Sequence, residues 1–351
     1  MDIVVLAGGL SPERNVSLVS GQSICQALRS LGHRAAVVDM YMGLEGIAPE
    51  DIFRVSERLR GIGAVSAEAP DLEAVRRART DQSKSLFGPG VLEACARADV
   101  VFIGLHGECG EDGRVQAAFD LLGIPYTGSG YLASGMAMNK AVAKQVMERA
   151  GILTAPWREL TYREEDIPNL TDELPLPCAV KTINGGSSLG VTLPETREDL
   201  GAALRELLGY GGHVIVEKKI RGRDLTVGVL GDRYLPAVEI TAQSGPYFDY
   251  KAKYQEGGSL EVCPAPITEE QWRTMGEATL KLHRALGLRS YSRADFVLDE
   301  AGQAWCLEIN SLPGMTPGSL LPKEAAAIGM TYPELCQEIL RLSLESGGKA
   351  G

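Results

Sequence analysis

Near the C-terminus, Arg293-Ala294-Asp295-Phe296-Val297-Leu298 is followed, after a short turn, by Trp305-Cys306-Leu307-Glu308-Ile309-Asn310. Both runs alternate apolar and polar residues, so each reads as a strand with one face in a core. Asp299-Glu300-Ala301-Gly302-Gln303 between them carries the turn chemistry of a hairpin. A hairpin symmetric about Ala301 and Gly302 sets Asp295 opposite Glu308 and Arg293 opposite Asn310. Side chains two apart share a face, so the four polar groups converge on one surface. Opposed carboxylates repel unless a cation lies between them, and with an amide oxygen they form a hard oxygen set, which predicts a Mg2+ site. An arginine beside that metal faces a phosphate or a developing oxyanion. The competing reading is a surface hairpin with ordinary charges. Against it stands Asn310-Ser311-Leu312-Pro313-Gly314-Met315-Thr316-Pro317, a concentration of turn residues directly after the strand that marks a shaped loop.

Composition narrows the class. The 351 residues, 44% hydrophobic and 23% charged, suffice for two or three cored domains of an ordinary globular protein. No apolar run approaches the roughly 20 residues needed to cross a bilayer, and the N-terminus enters a strand without a basic region and cleavage site. A cytoplasmic location is expected. Seven scattered cysteines (Cys25, Cys95, Cys109, Cys178, Cys263, Cys306, Cys336) form no CxxC pair and no zinc spacing, and read as reduced, mostly core-filling thiols. A net charge of -11 argues against a nucleic-acid partner. Any anionic ligand must be met by local lysines, arginines and backbone amides.

Ile3-Val4-Val5-Leu6 reads as a buried strand, and Ala7-Gly8-Gly9-Leu10-Ser11-Pro12-Glu13-Arg14 as a loop opening a helix that Gly32 stops. Ala35 to Val38 and Val100 to Ile103 read as further strands, giving an open, mostly parallel α/β domain whose binding edge is the first loop. The segment from Met42 to Ala98, with helical patches at Pro49 to Leu59 and Leu72 to Arg79, reads as an elaboration of that domain. Leu105-His106-Gly107-Glu108-Cys109-Gly110-Glu111-Asp112-Gly113 is a tight turn suited to a backbone held close to a ligand. A helix from Arg114 to Leu122, ending at Gly123, follows it. A short helix then runs through Asn139 and Lys140, and a longer one reaches Ala150, with Gly151 as its stop. Ala179 to Lys181 ends a strand that opens onto Gly185-Gly186-Ser187-Ser188-Leu189-Gly190, and Val214 to Lys218 is another strand. That loop is not a Walker P-loop, yet its donors suit a flap over phosphates.

Taken in order, Gly8-Gly-Leu-Ser-Pro-Glu-Arg, Leu105-His-Gly-Glu-Cys-Gly-Glu-Asp-Gly, Gly185-Gly-Ser-Ser-Leu-Gly, Asp249-Tyr-Lys-Ala-Lys-Tyr and Glu308-Ile-Asn-Ser-Leu-Pro-Gly-Met-Thr-Pro resemble D-alanine–D-alanine ligases of the ATP-grasp superfamily, from residue 1 to about residue 345. The resemblance implies an α/β chain, α+β overall, of three domains. These are an N-terminal open parallel-sheet domain at 1–128 that binds the first D-alanine, a central ATP-grasp domain at 129–217, and a C-terminal ATP-grasp domain at 218–351 with the metal and acceptor sites. It implies ATP-dependent formation of D-alanyl-D-alanine for peptidoglycan through an acyl phosphate, with ADP and phosphate released. It also implies a homodimer.

Residue by residue, the resemblance gives Asp295, Glu308 and Asn310 two Mg2+ ions, with Mn2+ as the alternative, and sets Lys140, Lys181 and Lys253 on phosphate oxygens. Glu217 would meet the adenine and Asp224 the ribose. Arg293 and the Gly314 N–H would form the oxyanion hole. Glu13 would anchor the first ammonium beside His106, and Ser319 with the Leu320 backbone would take the second carboxylate. Ser187 and Tyr254 would belong to two closing loops linked to Glu13, since an acyl phosphate exposed to water hydrolyses. The chain departs from the family in reading Lys181-Thr182 where Lys-Pro is common and Asp224 where Glu is common. Cys109, near the pocket, would be a candidate reactive thiol.

Three alternatives stand beside this reading. A D-serine or D-lactate acceptor keeps the fold and first step, and the intact Asp249 to Tyr254 motif favours an amine. A catalytically silent ATP-binding relative would have lost a metal ligand or Arg293, and this chain has lost neither. A Rossmann dehydrogenase is disfavoured, because Ala-Gly-Gly-Leu-Ser-Pro is not GxGxxG.

Overall fold

The computed structural model describes residues 1–44, 46–55, 70–108, 110–185, 190–242 and 258–347. Strand β1 (Asp2–Ala7) opens the chain, and Ile3 to Ala7 are completely buried. That continuous apolar run suits a parallel strand covered on both faces. Helix α1 (Arg14–Ser30) lies against it and stops at Gly32, and β2 (Arg34–Asp39) follows. Short helices α2 (Ile52–Val55), α3 (Leu72–Ala78) and α4 (Val91–Arg97) lead to β3 (Val100–Ile103). The three strands pair parallel in the order β2-β1-β3. Leu44, Ile52, Val91 and Ala94 share their core, so the described parts of the segment between Met42 and Ala98 pack on this sheet.

Helix α5 (Arg114–Leu122) ends at Gly123, as its sequence predicts. Two helices follow, as the sequence predicts, α6 (Tyr131–Met138) and α7 (Lys140–Arg149), but the first stops before Asn139 and does not run through Asn139 and Lys140. Asn139 is extended and its side chain accepts from the Val142 N–H at 3.0 Å, so its cap starts α7 and ends α6.

Strand β4 (Trp157–Thr161), helix α8 (Ile167–Glu173), β5 (Cys178–Thr182), β6 (Val191–Thr192), α9 (Arg197–Leu208) and β7 (His213–Lys218) come next. The four strands form an antiparallel sheet in the order β4-β7-β5-β6. Val180, Val214 and Val216 pack on α8 and α9. The period of two therefore turns Ala179, Lys181, Ile215 and Glu217 to the opposite face.

Strands β8 (Gly222–Leu230), β9 (Arg233–Tyr234), β10 (Val238–Ala242) and β11 (Ser259–Val262) precede α10 (Glu269–Ala285), then β12 (Tyr291–Asp299) and β13 (Ala304–Asn310). They make an antiparallel sheet in the order β11-β10-β8-β12-β13, with β9 paired to β8. Its core joins Leu225, Phe296 and Ile309 to Met275 and Leu282 of α10, and to Ala137 and Met147 of α6 and α7. Helices α11 (Leu320–Ala327) and α12 (Tyr332–Gly347) close the chain. Leu335, Ile339 and Leu340 of α12 return to the core of the first sheet, as do Leu312 and Met315 before α11. The loop after β13 is thereby pinned between the first sheet and the last.

The six described cysteines are free, five of them buried and Cys263 half-buried. Among the described residues no helix is long and apolar enough to cross a membrane.

Candidate active site

A cavity of about 200 Å³ lies between the second and third sheets. Lys181 and Glu217 reach it from the four-stranded sheet, and Asp224, Phe296, Val297, Asp295, Arg293 and Glu308 from the larger one. Lys140, at the start of α7, and Leu320, at the start of α11, complete its ends. Apolar walls with a few convergent charged groups are the usual form of a small-molecule site.

Glu217 is 2% exposed and paired with two ammonium groups, Lys181 Nζ on Oε1 and Lys144 Nζ on Oε2, both at 3.1 Å. Burial opposes ionisation of Glu217, but the two lysines prevail and hold its pKa below the ordinary carboxylate value. Burial also opposes the charge on Lys181, and Glu217, Glu308 and Asp295 overcome it and raise the lysine's pKa. Lys140 donates to the Gly185 carbonyl at 2.7 Å and lies 3.8 Å from Glu308 Oε2.

Across the cavity, Arg293 pairs with Asn310 and Asp295 with Glu308, the register anticipated from the hairpin. The symmetry is not kept throughout, since Phe296 faces Cys306 and Val297 faces Trp305. Leu307 is the extra residue, a bulge beyond which the expected pairing holds from Asp295–Glu308 to Arg293–Asn310. Arg293 holds Asp295 bidentately, Nε to Oδ1 at 3.0 Å and Nη2 to Oδ2 at 3.1 Å. Thr226 Oγ1 donates to Asp295 Oδ1 at 2.7 Å, and Asn310 Nδ2 lies 3.4 Å from Oδ2. Burial works against the Arg293 charge, but Asp295, Glu324 and Glu308 raise its pKa, so the guanidinium stays charged.

Two carboxylates and an amide on neighbouring strands suit a divalent cation by chemistry. Among the described residues no group of three or more His, Cys, Asp and Glu side chains stands together as a metal site. A Mg2+ ion, which keeps waters and takes substrate phosphate oxygens, would need only such a partial set of ligands.

The first sheet brings a second group of residues to the same place. Glu13 precedes α1, is 7% exposed and makes no side-chain cap bond. Arg14 beside it bonds Asp39 and the Gly9 carbonyl, fixing the loop. Ser11 Oγ donates to the His106 carbonyl at 2.8 Å, tying that loop to the glycine turn. A Cβ on Gly107, whose φ is +73°, would stand 2.6 Å from Glu13 Oε2. Only glycine fits there.

His106 is buried, with Nε2 3.1 Å from Ser20 Oγ and Nδ1 4.0 Å from Glu111. Burial and the Arg293 charge lower its pKa against the pull of Glu13 and a Leu312 backbone bond, so the ring is neutral at pH 7. Glu111 accepts from the Gly107 N–H at 2.9 Å, and burial with the nearby Glu13 charge pushes its pKa up to about 8. It lines a small cavity shared with Lys140, Glu308 and Asn310.

Ser319 precedes α11 and shares its hydroxyl with Thr316, N to Oγ at 3.1 Å and Oγ1 to Oγ at 2.7 Å. Gly314 packs against it, a Cβ there meeting Ser319 Oγ at 3.0 Å. Tyr332 donates to the Met315 carbonyl at 2.6 Å and holds this loop from α12.

The structure therefore brings Lys140, Lys181, Glu217, Asp224, Arg293, Asp295, Glu308, Asn310 and Leu320 around two cavities that share Lys140 and Glu308. Glu13 and His106 stand within electrostatic reach, and Gly314 and Ser319 lie on the adjoining loop. Ser187, Lys253 and Tyr254, with Cys109, lie outside the described residues. Sequence reasoning missed Lys144, Glu111, Thr226 and Glu324. Lys144 carried one signal, its place four residues after Lys140 on the same helical face. Glu111 stood in the Leu105 to Gly113 turn already singled out, and Thr226 and Glu324 carried no signal.

Two antiparallel sheets closing a cleft with lysines on one side and opposed carboxylates on the other define an ATP-grasp protein. Residues 2–129 match the family model described as the D-ala D-ala ligase N-terminus, and residues 146–341 match its C-terminus. The D-alanine–D-alanine ligase of Lacticaseibacillus casei is 40% identical over 98% of this chain and 96% of its own length. That of Nitratidesulfovibrio vulgaris is 40% identical over 99% of this chain and 100% of its own. The crystal structure of the D-alanine–D-alanine ligase from Bacillus anthracis superposes with a TM-score of 0.74 at 28% identity, covering 100% of both chains. VanG, the D-Ala:D-Ser ligase of Enterococcus faecalis, superposes with a TM-score of 0.73 at 27% identity, over 97% of this chain and 99% of that one. The chain belongs to the D-alanine–D-alanine ligase family.

Proposed function

We propose that this protein joins two D-alanines into D-alanyl-D-alanine for peptidoglycan, converting ATP to ADP and phosphate. The observation that carries the reading is the cleft itself, with Arg293, Asp295 and Glu308 facing Lys181 and Glu217, in a chain whose curated relatives are D-alanine–D-alanine ligases. A carboxylate is a poor electrophile. The γ-phosphoryl group of ATP is first transferred to the carboxylate oxygen of one D-alanine, giving an acyl phosphate and ADP. Positioning and charge neutralisation govern such a transfer, and Lys140 and Lys181 supply both for the phosphates.

Glu217 accepts from the adenine and Asp224 from the ribose, while Lys253 takes a further phosphate oxygen. Asp295, Glu308 and Asn310 would hold two Mg2+ ions, which when bound neutralise the phosphate charge. Glu13 and His106 receive the first D-alanine. Ser319 and the Leu320 backbone take the carboxylate of the second. Its amine attacks the acyl carbon, the C–N bond forms, the C–O bond to phosphate breaks, and the nitrogen gives up a proton. Arg293 and the Gly314 N–H stabilise the oxyanion of the intervening tetrahedral species. Ser187 and Tyr254 close loops over it and exclude water.

The three units at 1–128, 129–217 and 218–351 divide these tasks between first substrate, nucleotide, and metal with acceptor. A cytoplasmic location fits the supply of ATP. A homodimer fits the exposed Leu121, Leu122, Tyr131 and Leu132 on the adjacent α5 and α6, an apolar surface that a second copy would cover. D-lactate and a silent relative are not favoured, and D-serine is an outcome of the test. That test is phosphate release from ATP and Mg2+ with D-alanine alone, then with D-serine or D-lactate added, with products identified by mass. D-alanine-dependent phosphate with D-alanyl-D-alanine as the preferred product is expected. A mixed dipeptide or depsipeptide would reassign the acceptor, and no D-alanine-dependent phosphate would remove the reading.

A further inference from the structure

We infer that Lys144 is a positioning residue of the nucleotide cleft, holding Glu217 so that Lys181 stays turned toward the nucleotide, and fastening both to the strand that carries Glu308 and Asn310. The inference deepens the ATP-dependent reading above and rests on it.

Lys144 lies on α7, is 1% exposed and is not among the residues that line the cleft. Its ammonium donates to Thr154 Oγ1 at 2.6 Å and pairs with Glu217 Oε2 at 3.1 Å. Thr154 Oγ1 donates in turn to the Cys306 carbonyl at 2.7 Å, and the Cys306 N–H donates to the Leu153 carbonyl at 2.8 Å. Residues 153 and 154 thus lie along β13, on the connection from α7 to β4. The lysine stands where the two sheets of the cleft are joined.

A buried ammonium is unfavourable unless paired, and this one is only half compensated. Burial draws its pKa down, with Glu217 opposing and Lys181 adding to the fall. Lys144, Lys181 and Glu217 together carry one net positive charge, which Glu308 and Asp295 face from the other sheet. Glu217 Oε1 is buried, faces Lys181 at 3.1 Å and has no well-angled hydrogen bond, so it keeps acceptor capacity toward the cleft. Without Lys144 the carboxylate would swing onto Lys181 with both oxygens. The one ammonium would then be withdrawn from the phosphates and the acceptor from the ring. Lys144 acts through Glu217 and touches no reacting atom.

A residue that only filled the core would lower stability without singling out the nucleotide. The test is therefore a cycle of Lys144→Met, Glu217→Gln and the double variant, with ATP binding measured by calorimetry and steady-state kinetics run on both substrates. Lys144→Met is expected to weaken ATP by ~10-fold, with the KM for D-alanine changed by less than ~2-fold. The double variant is expected to bind ATP within ~2-fold of Glu217→Gln alone, because coupled residues are not additive. Additive losses, or unchanged ATP affinity in folded Lys144→Met, overturn the inference. Should Lys144→Met fail to fold, Thr154→Val carries the test. It cuts the tie to β13 while keeping the charge, and is expected to weaken ATP by ~3-fold at a nearly constant kcat. Unchanged affinity there overturns the inference as well. Parent protein that binds ATP without D-alanine-dependent turnover would sink the ligase reading, and the binding cycle would still decide the role of Lys144.

Discussion

Asp295 and Glu308 face each other across β12 and β13 because Leu307 is one residue too many on its strand. Had the register beside the turn continued, Asp295 would face Leu307 and Arg293 would face Ile309, and the carboxylates would be out of step. A bulge next to a site re-aims side chains in this way. The paired carboxylates, with Arg293 clamped on one of them, set the charge pattern on which the proposed chemistry depends.

Arg293→Lys keeps the charge and loses the two-pronged grip on Asp295 at 3.0 and 3.1 Å. Ligation is expected to fall by ~100-fold in kcat, the size of losing an oxyanion donor, while ATP binding is kept. Stopped assays of dipeptide formation beside calorimetric ATP binding decide it. Near-normal kcat in this variant, or in Arg293→Ala, would remove the oxyanion role.

Gly107→Ala places a methyl 2.6 Å from Glu13 Oε2 at a backbone φ of +73°. Strain of about 1 kcal/mol and displacement of Glu13 are expected together. The KM for D-alanine should rise by ~10-fold with ATP affinity unchanged, a pattern read from separate substrate titrations. Equal effects on both substrates would contradict the placement of Glu13 in the first D-alanine pocket.

His283 shares a 2.7 Å hydrogen bond with Ser292 and is held down to a pKa of about 4, first by burial and then by Arg284. Unfolded histidine titrates near 6.5, so between these values the unfolded chain binds more protons. Stability is therefore present above about 6.5 and is lost as pH falls toward 4. Urea unfolding at pH 7 and 4.5 should show His283→Asn losing about 2 kcal/mol less over that interval than the parent. An equal acid loss in both proteins would contradict it.

Glu324 is completely buried on α11, and neither oxygen completes a hydrogen bond. Gly228 makes room for it, since a Cβ there would meet Glu324 Oε2 at 2.0 Å. Burial raises its pKa well above 4.5, with Arg293 and the Gly228 N–H offsetting part of the shift and Asp295 adding to it. The folded state then binds more protons than the unfolded one above about 4.5, so this group's contribution declines as pH rises. Glu324→Met is expected to be more stable than the parent by about 1 kcal/mol at pH 8, with a smaller gap at pH 5. Denaturant midpoints at the two pH values measure it, and a gap independent of pH would contradict the assignment.

What the sequence determined was local. Periodicity and turn residues located β3 at Val100 to Ile103 and α5 at Arg114 to Leu122, and the alternation around Asp299 to Gln303 announced the hairpin. Those signals repeat within a few residues, and neighbouring side chains enforce them. Five motifs also singled out Glu13, His106, Glu308, Asn310 and Gly314 as candidates, because each motif is contiguous along the chain. The sequence signal carried α6 through Asn139 and Lys140, whereas a single side-chain bond at Asn139 ends that helix sooner and starts α7. The sequence could not show the Leu307 bulge, whose cause is the pairing of two strands and not the composition of one. Glu217 and Cys306 are far along the chain from Lys144 and Thr154, and only the packing of two sheets brings these pairs together. Tertiary structure alone decided which charges are buried together, because burial and pairing, not residue type, set the energy of a charge.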